Sequence, residues 1–292
     1  MKRFLAFLIC LLSIAVMPVQ AQEPEGDSQV NVSVRGRYIG SADFSDDEGK
    51  AQVTSTELAM EAYGFSFSYT MNNYSWSDKS SLPFGNGSDA PWDRLHKLSL
   101  GYQYDGDIDE NWEYTLAATV DSAFEEDMSD SFGASFMAGL GYQFNKYWKT
   151  YFGGRVAVND IETEVMPYFA VSYENLAQDG SGTFMTLGLP ESEVGYAFNE
   201  SSTIRATFEL AGETYRLADD STVVKKGYVE TSSMLVGLYY DWKPTEAFTM
   251  SVGPEYHFDR EIQLYNSDGD DRGDAHELDA ALGGSLMVGY QF

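Results

Sequence analysis

Cysteine is nearly missing from this sequence. One occurs among 292 residues, at Cys10, so no disulfide can form within the chain and stability has to come from pairing and burial. Histidine is almost as scarce: His96, His257 and His276 are the three conventional bases available for proton transfer. Basic residues number 18 against 46 acidic ones, and a formal charge of −28 excludes nucleic acid as a partner, because the phosphate backbone would be repelled. Long apolar runs are also absent, apart from Phe4 to Val16 behind Lys2 and Arg3. That run falls short of the roughly 20 residues of a membrane helix. With the small-residue pattern Val19-x-Ala21 it reads as a secretory signal peptide over 1–21, leaving one domain over 22–292. Cys10 lies inside the run, and Ile9 before it is not the small residue that lipidation requires. Cleavage removes that cysteine together with two of the basic residues.

What the chain does have is 20 Tyr, 18 Phe and 27 Gly, arranged with a period of two. In the first such stretch Val30, Val32, Val34, Gly36 and Tyr38 share one face, while Asn31, Ser33, Arg35 and Arg37 share the other. Leu98, Leu100, Tyr102 and Tyr104 oppose Lys97, Ser99, Gly101 and Gln103 in the same way. Trp112, Tyr114, Leu116, Ala118 and Val120 oppose Glu113, Thr115, Ala117, Thr119 and Asp121. Similar segments start near 53, 64, 132, 148, 165, 183, 193, 203, 228, 248 and 278, which makes about 14 strands. The shortest, 183–188 and 193–198 around Pro190, leave 12 as the alternative count.

A soluble sandwich buries one face of such strands, whereas a membrane barrel shows the apolar face to lipid and keeps full charges in a watery interior. Here the charged parity recurs along the whole chain, so the fold class is all-β, a transmembrane antiparallel up-and-down β-barrel. Connections alternate between short turns, as at Ala62–Tyr63 and Asn145–Lys146, and long polar loops, matching the periplasmic and outer sides of such barrels. Trp112, Trp148 and Trp242 beside short turns, and Trp76 and Trp92 flanking a long loop, fit aromatic girdles at both interfaces.

The chain ends in ALGGSLMVGYQF, with Leu282, Leu286, Val288, Tyr290 and Phe292 on one parity. This resembles the terminal strand of Gram-negative outer-membrane β-barrels, and the resemblance implies insertion in the cell outer membrane, with Tyr290 and Phe292 as the signal for the barrel assembly machinery. The segments MPYFAVSYENL, LGLPESEVGYAF, ELAGETYRL and HFDREIQLY also resemble an uncharacterised family of predicted outer-membrane barrels. That likeness implies a fold and no activity.

The charged parity nominates a lumen lining of Arg35, Arg37, Glu57, Glu61, Lys97, Glu113, Asp121, Lys149, Arg155, Glu174, Glu193, Arg205, Glu209, Glu255, His257, Asp259 and Asp279. Buried charges are tolerated only when paired or wet. Two readings follow: a narrow passive pore for small solutes or ions with mixed-charge walls, or a closed, salt-bridged barrel serving structure or surface interaction. A barrel hydrolase is the third reading; it would use His257 between Glu255 and Asp259, but no His-x-Ser motif follows, and the expectation is no enzyme, no cofactor and no resident metal. Acidic loops DFSDDEGK at 43–50, FEEDMSD at 124–130 and NSDGDDRGD at 266–274 would face lipopolysaccharide, where divalent cations could bridge carboxylates to lipid phosphates. In the last loop Arg272 stands where a calcium loop needs an oxygen, so a solvated loop is the simpler reading.

Overall fold

The computed structural model describes residues 30–45 and 49–292. The expected signal peptide, 1–21, and part of the first acidic loop fall outside them. Fifteen strands form: β1 (Val30–Asp43), β2 (Lys50–Ala62), β3 (Phe65–Ser77), β4 (Arg94–Asp107) and β5 (Trp112–Phe124). Then come β6 (Phe132–Gln143), β7 (Trp148–Val158), β8 (Thr163–Leu176), β9 (Gly182–Leu189) and β10 (Glu191–Asn199). The last are β11 (Ser202–Arg216), β12 (Tyr228–Trp242), β13 (Phe248–Tyr265), β14 (His276–Leu278) and β15 (Ala281–Gln291). β14 is a three-residue appendage paired with β13. The other fourteen make a ring of antiparallel neighbours that closes through β1 on β15, β15 on β13 and β13 on β12. The chain is therefore a closed barrel of 14 strands rather than 12, with the short β9 and β10 as full members.

The alternation explains which way each strand faces. Val34, Tyr38, Leu100, Tyr102, Val120, Phe136, Phe169, Val194, Tyr196, Leu238 and Leu286 are exposed on the outer wall. A wall of exposed Leu, Val, Phe and Tyr on every side, enclosing charged side chains, would be unstable in water and is what hydrocarbon requires. The architecture is that of an outer-membrane β-barrel. Below the wall lie the short turns. Tyr63 and Gly64 both have positive φ, the geometry of a two-residue hairpin, and a Cβ on Gly64 would stand 2.5 Å from the Gln103 carbonyl oxygen. At this rim Trp112 sits 4.7 Å from Tyr142, Trp148 4.8 Å from Tyr173 and Tyr290 4.8 Å from Phe292, ring centre to ring centre. Trp76 and Trp92, expected at the outer interface, are buried inside the mouth.

Candidate channel lumen

Through the lower and middle lumen the inward parity carries charge, and Lys97, Lys149, Arg205 and Arg37 are paired with carboxylates. Lys97 on β4 meets Glu213 on β11, and Lys149 on β7 meets Glu113 on β5. Arg205 bonds Asp241 at 2.7 Å and lies 3.9 Å from Glu193. Arg37 lies 3.1 Å from Glu255 and 3.8 Å from Glu209, which stands on β11, beyond β15, β13 and β12 round the ring. Glu255 is 1% exposed; it also accepts bonds from Tyr239 Oη at 2.7 Å and pairs with His257 Nε2 at 3.1 Å. Arg35 points to Met287 Sδ at 3.6 Å, and Asp121, Glu164 and Glu213 act electrostatically on Arg155. Glu57 and Glu61 stand on the inward face of β2, opposite Arg35 and Asn31. Glu174 keeps the inward parity of β8 but is exposed near the lower rim. Ion pairs spanning the barrel cost less than isolated buried charges, and they hold opposite walls together.

Asp259 and Asp279 leave this set. A bulge between Ser232 and Met234 of β12 sets two residues of β13 against one, and Asp259 takes positive φ there and is exposed. The parity then switches, so Arg260, Ile262 and Leu264 are the buried residues above it. Asp279 follows β14 in the outer connection, exposed, with its backbone oxygen accepting a bond from Arg260 Nη1. His257 consequently has one carboxylate partner, Glu255, which is itself held by Arg37 and Tyr239.

Above the charged zone the inward face becomes apolar. Phe44, Ala51, Trp76, Phe84, Trp92, Leu95, Ala123, Tyr215, Leu217, Val224, Val229, Ile262, Leu264 and Leu278 form one buried cluster across the outer mouth. Trp92 and Phe84 come from the 78–93 connection, which folds down into the barrel, and Trp76 Nε1 donates to the Trp92 carbonyl oxygen at 2.6 Å. Trp92 crosses Trp76 edge-on at 5.0 Å and stacks on Phe84 at 5.6 Å. Two bulges make the cluster possible. One in β1 between Ile39 and Ala42 turns Phe44 inward, and the one in β13 turns Ile262 and Leu264 inward. Burial of this much aromatic surface is the main stabilising contribution at the mouth. Against it stands the Trp92 indole N–H, buried without an acceptor, which costs about 1–3 kcal/mol.

The rim of the mouth is stitched across the barrel. The Glu125 N–H donates to the Arg216 carbonyl at 2.8 Å, and the Glu125 carboxylate accepts the Ala218 N–H at 2.8 Å, joining the top of β5 to the top of β11. Burial pushes the Glu125 carboxyl above the ordinary glutamate range, the Ala218 N–H opposes that, and neighbouring Glu126, Asp220 and Asp93 add to it. Beside it the Asp219 carboxyl is held below its usual range by bonds from Lys226 and Arg216. The inward apolar parity of Leu95, Ala123, Tyr215 and Val229 was the missed signal for the plug.

No family model matches the chain, and no curated protein matches it. Among solved structures it is similar to OprB of Pseudomonas putida at high pH, with 11% identity over 91% of this chain and 94% of that one, at a TM-score of 0.39. An outer membrane channel of Pseudomonas putida F1 is similar at 10% identity over 95% and 100%, with a TM-score of 0.43. The NanC porin is similar at 13% identity over 89% and 98%, with a TM-score of 0.37.

Proposed function

We propose that this protein is an outer-membrane channel for small solutes or ions, closed at its outer mouth by an apolar plug. The plug is the observation that carries the reading: a charged lumen lies under an apolar cap in which the 78–93 connection inserts Phe84 and Trp92 among inward residues of the wall strands. Removing that connection would leave a mixed-charge passage ringed by Arg37, Glu209, Glu255 and Arg205. Such walls pass small polar solutes, and the acidic excess favours cations. The barrel then acts without catalysis. Tyr290 and Phe292 serve as the assembly signal, and the acidic outer loops meet lipopolysaccharide phosphates through divalent cations.

A second reading is favoured by the buried Arg37–Glu255 pair: a permanently closed barrel whose outer loops do the work. Conductance in a planar bilayer separates the two. The native protein should show rare, discrete steps, and the Phe84→Ser, Trp92→Gly variant or a chain lacking 82–91 should conduct for most of the record. If both altered proteins refold as heat-modifiable barrels and stay silent, the closed barrel is correct.

A further inference from the structure

The plug is an interface between two parts of the barrel. Above the bulge between Ser232 and Met234, the tops of β11, β12 and β13 make a three-stranded flap whose ladders run to Arg216–Tyr228 and Tyr228–Tyr265. Tyr215, Leu217, Val224, Val229, Ile262 and Leu264 of the buried cluster belong to this flap and the connection above it. Phe44, Trp76, Phe84, Trp92 and Leu95 face them from the side of β1 to β4. The two edges of the flap are held differently. On the β13 side, β14 pairs with Arg260–Ile262, Leu278 bridges Phe44, and the Asp279 and Ser45 N–H groups bond the Asp43 and Glu277 carbonyls at 2.9 and 3.0 Å. On the β11 side a smaller latch meets β5: the Arg216–Phe124 bridge and the two bonds of Glu125. The Lys97–Glu213 ion pair and an Asn72 Nδ2 bond to Tyr215 Oη at 3.0 Å complete it. Thr214 Oγ1 beside the latch is buried with no hydrogen-bond partner.

A second place for β11 exists in the wall. β9 and β10 are short, and their ladders with β8 and β11 end at Phe169–Leu189 and Glu191–Glu209. Above Pro190 the strand neighbour of β8 is β7 and that of β11 is β12, with no β8–β11 ladder among the described residues. Strand edges left without a ladder at membrane depth are costly. Yet β11 is patterned as a wall strand almost to its end: Ile204, Ala206, Phe208, Leu210 and Thr214 on one parity are uncharged, while Arg205, Glu209 and Glu213 lie on the other. Leu210, which this pattern sends to lipid, is 5% exposed. Three antiparallel steps separate β8 from β11, so the two run in opposite directions. The register also carries across: Ala170 is level with Gly188, Gly188 with Glu191 by continuation of Thr186–Glu193, and Glu191 with Glu209. Counting up both strands sets Val165 opposite Thr214, both outward, and Glu164 opposite Tyr215, both inward. The hairpin below spreads the strands by two extra spacings of about 4.8 Å, so pairing is confined to residues well above Pro190.

We propose that the flap is the gate of the channel, closed when β11 is latched to β5 and open when the flap swings about its β13–β14 side and β11 pairs with β8. The swing withdraws Tyr215, Leu217, Val229 and Ile262 from Phe84, Trp76 and Trp92, and it releases Lys97 into the lumen. It exchanges the latch for strand pairing in the wall, so each state satisfies part of what the other leaves open. Arg216, the one charge on the outward parity of β11, then stands at the outer interface and not in hydrocarbon. The gate rests on the channel reading and adds how that channel opens.

The test is disulfide trapping with iodine, a membrane-permeant oxidant, in lipid vesicles, using variants that refold as heat-modifiable barrels. Residues 22–292 hold no cysteine of their own. Phe124→Cys with Arg216→Cys reads the latched state, and Val165→Cys with Thr214→Cys reads the wall-docked state. Val165→Cys with Ala206→Cys is a control that neither state brings together. Both test pairs are expected to cross-link and the control pair is not. In a planar bilayer the oxidised 124–216 form should be silent, and the oxidised 165–214 form should be open for at least about tenfold more of the record than its reduced form. Cross-linking of 124–216 alone, or of the control as readily as 165–214, overturns the movement. An oxidised 165–214 form that opens no more than its reduced form, while the chain lacking 82–91 conducts, overturns the gate. Silence of the chain lacking 82–91 as well would sink the channel reading, and the cross-link yields would still decide whether β11 changes place.

Discussion

Glu255 is the residue on which the lumen's electrostatics converge. Its carboxylate has no exposed side-chain surface and takes Arg37, Tyr239 and His257 together. Deleting one partner of a buried ion pair leaves the other charge uncompensated, at about 3–5 kcal/mol. Glu255→Ala should therefore lower stability by about that amount in urea unfolding from lipid vesicles, and Arg37→Met with Glu255→Leu should recover most of it. A loss under about 1 kcal/mol would show that water solvates Arg37 from the lumen, as for an exposed pair. Sequence alternation was enough to place Glu255, Arg37 and His257 on the inner face. It could not show which charges meet, because Arg37 and Glu209 are brought together by the curvature of the whole ring.

Among the elements, the mouth contains the pH-sensitive part. Glu125 carries a carboxyl raised above its ordinary 4.5 by burial, and Glu162 in the β7–β8 connection is raised for the same reason. A raised acid is bound more tightly to its proton in the folded state, so the stitched mouth gains stability as pH falls towards the unfolded value and loses it as pH rises through the folded one. Asp219 has the opposite sign: its contribution is present above 3.8 and disappears as pH falls through its depressed folded value. Lowering pH from 7 to about 5 should reduce the fraction of time the channel is open. Glu125→Gln should remove much of that dependence. An open fraction that rises on mild acidification would contradict the assignment of the stitch as part of the closure.

The same scale shows what alternation hides. Strand number and facing were legible in the stretches around Val34, Leu100 and Val120, where period two is unbroken. The bulges in β1 and β13 were not: Gly40 lies in the first, but glycine also occurs inside unbroken strands such as β1 at Gly36, and Asp259 carries no glycine or proline beside it to mark a change of parity. For that reason Asp259 was assigned to the lumen and Ile262 and Leu264 went unnoticed. Trp76 and Trp92 were read as girdle residues because tryptophan at a strand end suits an interface as well as a plug. Only the fold back of 78–93 into the mouth distinguishes them.

At the scale of the whole molecule, the barrel is divided by height: an apolar plug above and a charged lumen beneath. Residues 22–292 contain no cysteine, so a single inward cysteine can report which end of the lumen is open. Ser68→Cys on β3 lies on the inward parity below the plug, opposite Ser99 of β4. The decisive measurement is its modification by a charged, membrane-impermeant thiol reagent applied to one face of oriented vesicles at a time. The plugged-channel account predicts fast reaction from the short-turn side, slow reaction from the outer side, and equal rates once 82–91 are removed. Equally fast reaction from the outer side in the unaltered protein would contradict it.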